Sequence, residues 1–115
     1  MSKYEVNLNG DFNNLLNYIE DGILRGSISA SKEDGSDFQV GNVRCAVRVY
    51  ERYSILGKNR VSLNITLIGA GNENFLSAIT SGGSEAIFFK INTFGEESFL
   101  GQLTKVIENY QESYR

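Results

Sequence analysis

Arg44, Arg48 and Arg52 recur every four residues through the run Val43 to Tyr53. If that run is a strand, its alternating side chains place the three arginines on one face together with Ala46 and Tyr50. A line of planar guanidinium forks could grip carboxylates or phosphates. Residues 43–60 carry a formal charge of +4 in a chain of −3, which leaves −7 for the remainder, so the molecule is polarised. The competing reading is a solvated outer sheet face, with the arginines paired to Glu33, Asp37 or Glu51 and their stems lying along the sheet. Nucleic acid is disfavoured as a partner. Single-strand readers add stacking aromatics and a net basic field, and Tyr50 is the one aromatic on that face.

The turn Ser81-Gly82-Gly83-Ser84 could form a nest of backbone N–H groups around an anion, within reach of Lys90. It lacks the Gly-Lys-Ser/Thr of a phosphate-binding loop, and the segment after it reads as a strand where such a loop would open a helix. A structural turn is the favoured reading. Cys45 alternates in phase with Val43, Val47 and Val49 and is expected to pack as a small hydrophobe. Glu96 and Glu97 form an acidic pair, but a helix's first turn attracts carboxylates without any catalysis. The six tyrosines are spread over four elements, where core-edge and interface roles suffice.

The chain has no His, no Pro and no Trp, and a single cysteine. Ser-His and Cys-His nucleophilic sites are therefore excluded, as are His-ligated and thiolate zinc sites. The acidic residues show no EF-hand spacing. No catalytic residue, metal site or cofactor is expected, and the chain is read as a non-enzyme. One cysteine suits a reducing cytoplasm. The start MSKYEVNLNG has no apolar run of a signal peptide, and no stretch approaches the length of a bilayer span, so a soluble cytoplasmic protein is expected. At 115 residues the chain is read as one domain, residues 1–115.

The elements that would position these residues follow from periodicity. Lys3 to Leu8 alternates as a short strand. Asp11 is an N-cap candidate for a helix whose stripe is Phe12, Leu15, Leu16, Ile19 and Ile23, with Gly26 as its stop. From Ser27 the period is two, and Phe38 and Val40 share a face. The apolar parity switches at Gly41-Asn42, which is read as a hairpin. The strand Val43 to Tyr53 ends near a second loop at Gly57-Lys58-Asn59. Val61, Leu63, Ile65 and Leu67 then face one way, with Ser62, Asn64 and Thr66 opposite. Gly69 to Asn72 is a third turn, Asn74 to Thr80 a strand, and Ala86 to Ile91 another. Thr93 and Glu96 fit a capping box for a closing helix from about Phe94 to Tyr114, with the stripe Phe99, Leu103, Val106, Ile107, Tyr110 and Tyr114.

The fold expected is α+β, a β-α-β(4-5)-α two-layer sandwich with an antiparallel meander sheet packed against a long C-terminal helix. This order looks like TATA-binding-protein-like and helix-grip folds. The runs Val43 to Tyr53, Arg60 to Thr66 and Ser77 to Gly83 together resemble a family of short bacterial proteins, mostly from Gram-positive organisms, classed as a domain of unknown function. The resemblance covers nearly the whole chain and implies a compact stand-alone domain. It carries over no activity, cofactor or catalytic residue.

The function expected is a ligand-binding or protein-interaction module. A pocket between a curved sheet and the last helix would be lined by Val47, Val49, Leu63, Ile65, Phe88, Phe99 and Leu103, with a small apolar ligand or a protein partner in it. Most of these residues could equally fill the core. The alternatives are a homodimer built on the exposed sheet face or an edge strand, and an anion or nucleic-acid binder using Arg44, Arg48 and Arg52. A membrane is not expected as a partner.

Overall fold

The structure is a computed structural model that describes residues 1–54, 59–82 and 89–113. It is α+β, with a five-stranded antiparallel sheet and two helices. The elements are β1 (Ser2–Asn9), α1 (Phe12–Arg25), β2 (Ser31–Val40), β3 (Val43–Ser54), β4 (Asn59–Ala70), β5 (Glu73–Gly82) and α2 (Phe89–Ser113). The strands lie in the order β1-β5-β4-β3-β2. The chain therefore starts at one edge, crosses through α1 to the other, and returns by a meander until β5 pairs with β1.

Local chemistry accounts for the joints. Asp11 caps α1, its Oδ2 accepting from the Asn14 N–H at 3.0 Å, which satisfies one of the helix's free amides. Phe12, Leu15, Leu16, Ile19 and Ile23 form the buried stripe of α1, as their spacing predicts. The β2–β3 and β4–β5 loops are Gly41-Asn42 and Gly71-Asn72. Each opens on a glycine with φ near +60°, the left-handed conformation that two-residue hairpins need. The helices cross at Gly22, where a Cβ would lie 2.6 Å from Val106 Cγ2, so only the missing side chain lets α1 and α2 approach this closely. Tyr18 and Tyr110 add an edge-on ring contact across the same seam, with centroids 5.2 Å apart.

Both helices sit on one face of the sheet. The core joins the α1 stripe to Phe99, Leu103, Ile107 and Tyr110 of α2 and to Val61, Leu63, Ile65, Leu67, Leu76, Ala78, Ala46 and Tyr50 of the sheet. The β3–β4 register pairs Tyr50 with Leu63, Ala46 with Leu67 and Arg48 with Ile65, so the even-numbered residues of β3 share a face with the odd-numbered core residues of β4.

Three expectations are corrected. Val43, Cys45, Val47 and Val49 do not join the core on the helix side. They lie with Phe38 and Val40 on the face the helices leave uncovered. The solvated outer face expected of Arg44, Ala46, Arg48, Tyr50 and Arg52 is instead the helix-covered one, with Ala46 and Tyr50 fully buried. Finally, α2 begins at Phe89, so Phe89 to Ile91 are helical and Thr93 lies past the first turn, where it cannot be the cap. A short unalternating apolar run has no period to separate strand from helix. Residues 86–88, Gly57, Lys58, Gly83, Ser84 and Tyr114 lie outside the described residues.

Candidate functional site

The three arginines of β3 run along the sheet–helix seam, and each meets a helix residue. Arg44 lays its guanidinium over the Phe12 ring, 4.4 Å from the centroid, and donates to Asn13 Oδ1 at 2.7 Å. Phe12 can lie flat there because Gly69 is beneath it; a Cβ on Gly69 would approach the ring to 2.7 Å. Arg52 repeats the arrangement on α2. Its guanidinium sits 4.7 Å above the Phe99 ring and donates to Gln102 Oε1 at 3.0 Å. Partial burial lowers the Arg52 pKa below its ordinary value. Gln102 spends its amide on α1, donating to the carbonyls of Gly22 at 3.0 Å and Ile23 at 2.9 Å, so one side chain ties the end of α1 to α2 and to β3.

Between them, Arg48 and Tyr50 meet Glu20 of α1. The Tyr50 hydroxyl donates to Glu20 Oε2 at 2.7 Å. Arg48 Nε stands 3.8 Å from the same oxygen and Lys32 Nζ 3.5 Å. Arg48 Nη2 also pairs with Asp37 at 3.0 Å, and its Nη1 donates to the Val47 carbonyl. Burial first, then the hydrogen bond and charge of Glu20, push the Tyr50 pKa well above its usual value. This hydroxyl is held protonated as a donor, the reverse of an activated nucleophile or base. The pairing of Arg48 with Asp37 agrees with the sequence reading, whereas Glu33 and Glu51 pair with Arg60. The linear arginine array is thus brought together, and its guanidinium groups are already engaged by rings, amides and carboxylates.

The expected apolar pocket residues are divided between two faces. Leu63, Ile65, Phe99 and Leu103 are fully buried under the helices. Val47 and Val49 point to the opposite face, half-buried. Phe88 lies outside the described residues. An open groove of about 550 Å³ lies elsewhere, between β1 and the end of α2, and Asn7, Asn9, Glu108, Gln111 and Glu112 make most of its wall. Its lining is mixed, with Leu8 and Tyr110 beside the amides and the two carboxylates. Among the described residues no group of three or more His, Cys, Asp or Glu converges as a metal site, and no helix is long and apolar enough to cross a membrane.

The arrangement that sequence reasoning missed is on the uncovered face. Cross-strand pairing sets Phe38, Cys45, Ile68 and Phe75 in one row over β2, β3, β4 and β5. Val40 and Val43 pair in the next row. Phe38 is 56% exposed, Ile68 41%, Phe75 37% and Val40 71%, and Cys45, flanked by its neighbours in the row, only 8%. Of the large apolar side chains exposed among the described residues, all but Met1 and Ile28 lie on this face. Contiguous exposed apolar surface of this kind marks interaction sites in soluble proteins. Its signal was present in the sequence, since the apolar parity on the two sides of Gly41-Asn42 already put Phe38, Val40, Val43 and Cys45 together.

Residues 1–111 match the model of a family of unknown function (DUF6054). No curated protein and no solved structure matches the chain.

Proposed function

Because the chain belongs to that family, to which no activity is attached, we propose its function from geometry: it is a non-enzymatic protein-interaction module whose working surface is the uncovered face of the sheet. The observation that carries this reading is the open row of Phe38, Ile68 and Phe75 around Cys45. Two helices suffice to cover one face of a five-stranded sheet, and antiparallel sheets ordinarily leave the other face polar. Here that face has apolar residues on four adjacent strands, with polar neighbours such as Ser36, Thr66 and Ser77 one row away. Burying such a row against an apolar partner surface would stabilise a complex by about 25 cal/mol per Å² removed from water, before the costs of association.

The anion-binding reading of Arg44, Arg48 and Arg52 loses support because their donors are directed at the chain's own groups: Asn13 of α1, Asp37 of β2 and Gln102 of α2. The small-ligand reading loses support because its lining residues lie on two faces. The non-enzymatic reading rests on Tyr50 and Glu20, whose polar cluster fastens α1 to the sheet. We also propose a TATA-binding-protein-like or helix-grip-like arrangement, supported by the order β-α-β4-α, and a cytoplasmic setting, supported by the single cysteine.

Fluorescence of a dye that brightens on apolar protein surface tests the surface directly. The wild-type chain is expected to enhance the dye, and Ile68→Lys to remove most of the enhancement while lowering the thermal midpoint by no more than a few degrees. No enhancement by the wild type, or equal enhancement by the variant, would overturn the assignment.

A further inference from the structure

The two edges of the sheet are built differently. β2 is blunted: its register with β3 shifts between Lys32 and Asp34, and Lys32, Glu33, Asp34 and Asp37 line it with charge. Bulges and charges are the usual protection of an edge against a second chain. β1 has no such irregularity. It pairs with β5 through eight consecutive residues, Ser2 to Asn9, and among the described residues its other edge has no strand beside it. A regular edge without a bulge, whose two charges, Lys3 and Glu5, are of opposite sign, is a template for one more strand.

We infer that this strand is the β1 of a second copy, paired antiparallel about Tyr4, so that two sheets join into one of ten strands. Residues directly opposite in an antiparallel pair point to the same face, so a two-fold strand pair must centre on a residue. In β1 the centres available are Lys3, Tyr4, Glu5 and Val6. Centring on Lys3 opposes two ammonium groups, and centring on Glu5 opposes two carboxylates. Centring on Val6 leaves Lys3 and Glu5 opposite asparagines. Only the Tyr4-centred register sets Lys3 opposite Glu5 of the second copy, and does so twice. Both side chains are exposed, on the face away from the helices. On the helix side the same register sets Tyr4 opposite Tyr4 and Val6 opposite Ser2. Burial first, and then the charge of Glu108 on α2, raise the Tyr4 pKa. This interface uses the edge of β1 and is independent of the uncovered face.

Sedimentation equilibrium of the full chain tests the register by charge exchange. The wild type is expected to show a concentration-dependent monomer–dimer equilibrium. Lys3→Glu and Glu5→Lys each place like charges opposite one another twice, and each is expected to weaken association about tenfold. The exchanged variant Lys3→Glu/Glu5→Lys restores both opposite-charge pairs and is expected to return to within about threefold of wild type. The exchange also removes the bond that Glu5 accepts from Ser77 Oγ within the chain, so its recovery cannot come from intrachain repair. Circular dichroism of each variant confirms folding, and β1 amide exchange in the wild type should slow as concentration rises. A wild type that stays monomeric overturns the inference. So does a dimer indifferent to all three variants, which would point to the uncovered face, or a folded exchange variant that fails to recover.

Discussion

Lysine introduced at position 47 should leave the protein folded, whereas lysine at position 65 should unfold it. Val47 is half-buried on the uncovered face, opposite Thr66. Full burial of a valine is worth about 1.5–3 kcal/mol, so a half-buried one contributes about 1 kcal/mol. A lysine there keeps its stem on the sheet and its ammonium in water, which recovers part of that. The net loss is about 0.5–1 kcal/mol, or roughly 2–4 °C in Tm for a domain of this length. Ile65 has no exposed surface and belongs to the core that joins the sheet to the helices. Replacing it forfeits about 2–3 kcal/mol of apolar burial and places an ammonium at a position without solvent exposure, cross-strand from the Arg48 cation, several kcal/mol more. The sum, about 5 kcal/mol or above, reaches the lower end of the whole stability of a small domain. Urea unfolding followed by far-ultraviolet circular dichroism is the assay. A cooperative transition with a slightly lower midpoint is expected for Val47→Lys, and no folded baseline for Ile65→Lys. Equal losses in the two variants would refute the assignment of faces on which the functional reading stands.

The seam gives three more predictions. Tyr50→Phe removes a charge-assisted hydrogen bond to a carboxylate that keeps some solvent contact, and is expected to cost about 1–2 kcal/mol at neutral pH by denaturant titration. The Tyr50 pKa is raised on folding, so its contribution is complete below pH 10, the unfolded value, and is lost as the pH rises above it. Wild-type stability should therefore fall by up to about 1.4 kcal/mol more per pH unit than that of Tyr50→Phe above pH 10, and parallel curves would contradict the buried hydroxyl. Gln102→Ala frees the Gly22 and Ile23 carbonyls and the Arg52 donor together, with an expected loss of about 1–3 kcal/mol, whereas a change within error in thermal unfolding would show the bridge to be idle. Gly22→Ala should destabilise by about 1 kcal/mol despite alanine's better helix propensity, because its methyl meets Val106; adding Val106→Ala should make the alanine favourable in a double-mutant cycle.

Much of the fold is written in local pattern. Asp11 and the five-residue stripe after it specify α1 completely, and Gly41-Asn42 and Gly71-Asn72 specify two hairpins. The orientation of β3 is not local. Both of its faces read as coherent, one apolar through Val43, Cys45, Val47 and Val49, the other apolar at Ala46 and Tyr50 with arginines between. Which face meets the core depends on the β3–β4 register, where paired residue numbers sum to 113. That odd sum puts even residues of β3 beside odd residues of β4, and one residue more or fewer in the connection would reverse it. Arginine is compatible with the covered face because it lies at the seam, where Phe12 and Phe99 receive the guanidinium planes. The apolar row of the uncovered face was therefore visible in the sequence as a set of residues, but not as a surface. The start of α2 was hidden for a different reason: the short apolar run Ala86 to Phe89, followed by Lys90 and Ile91, has no period of its own.

The most direct test of the uncovered face as the working surface is site-specific photo-cross-linking in the producing cells. A benzophenone side chain at position 75 lies on that face, and one at Asn17 lies on the exposed side of α1. One discrete adduct from position 75, lost when Ile68 is also changed to Lys and absent from position 17, is the result predicted. No adduct from position 75, or the same adduct from both positions, would contradict it.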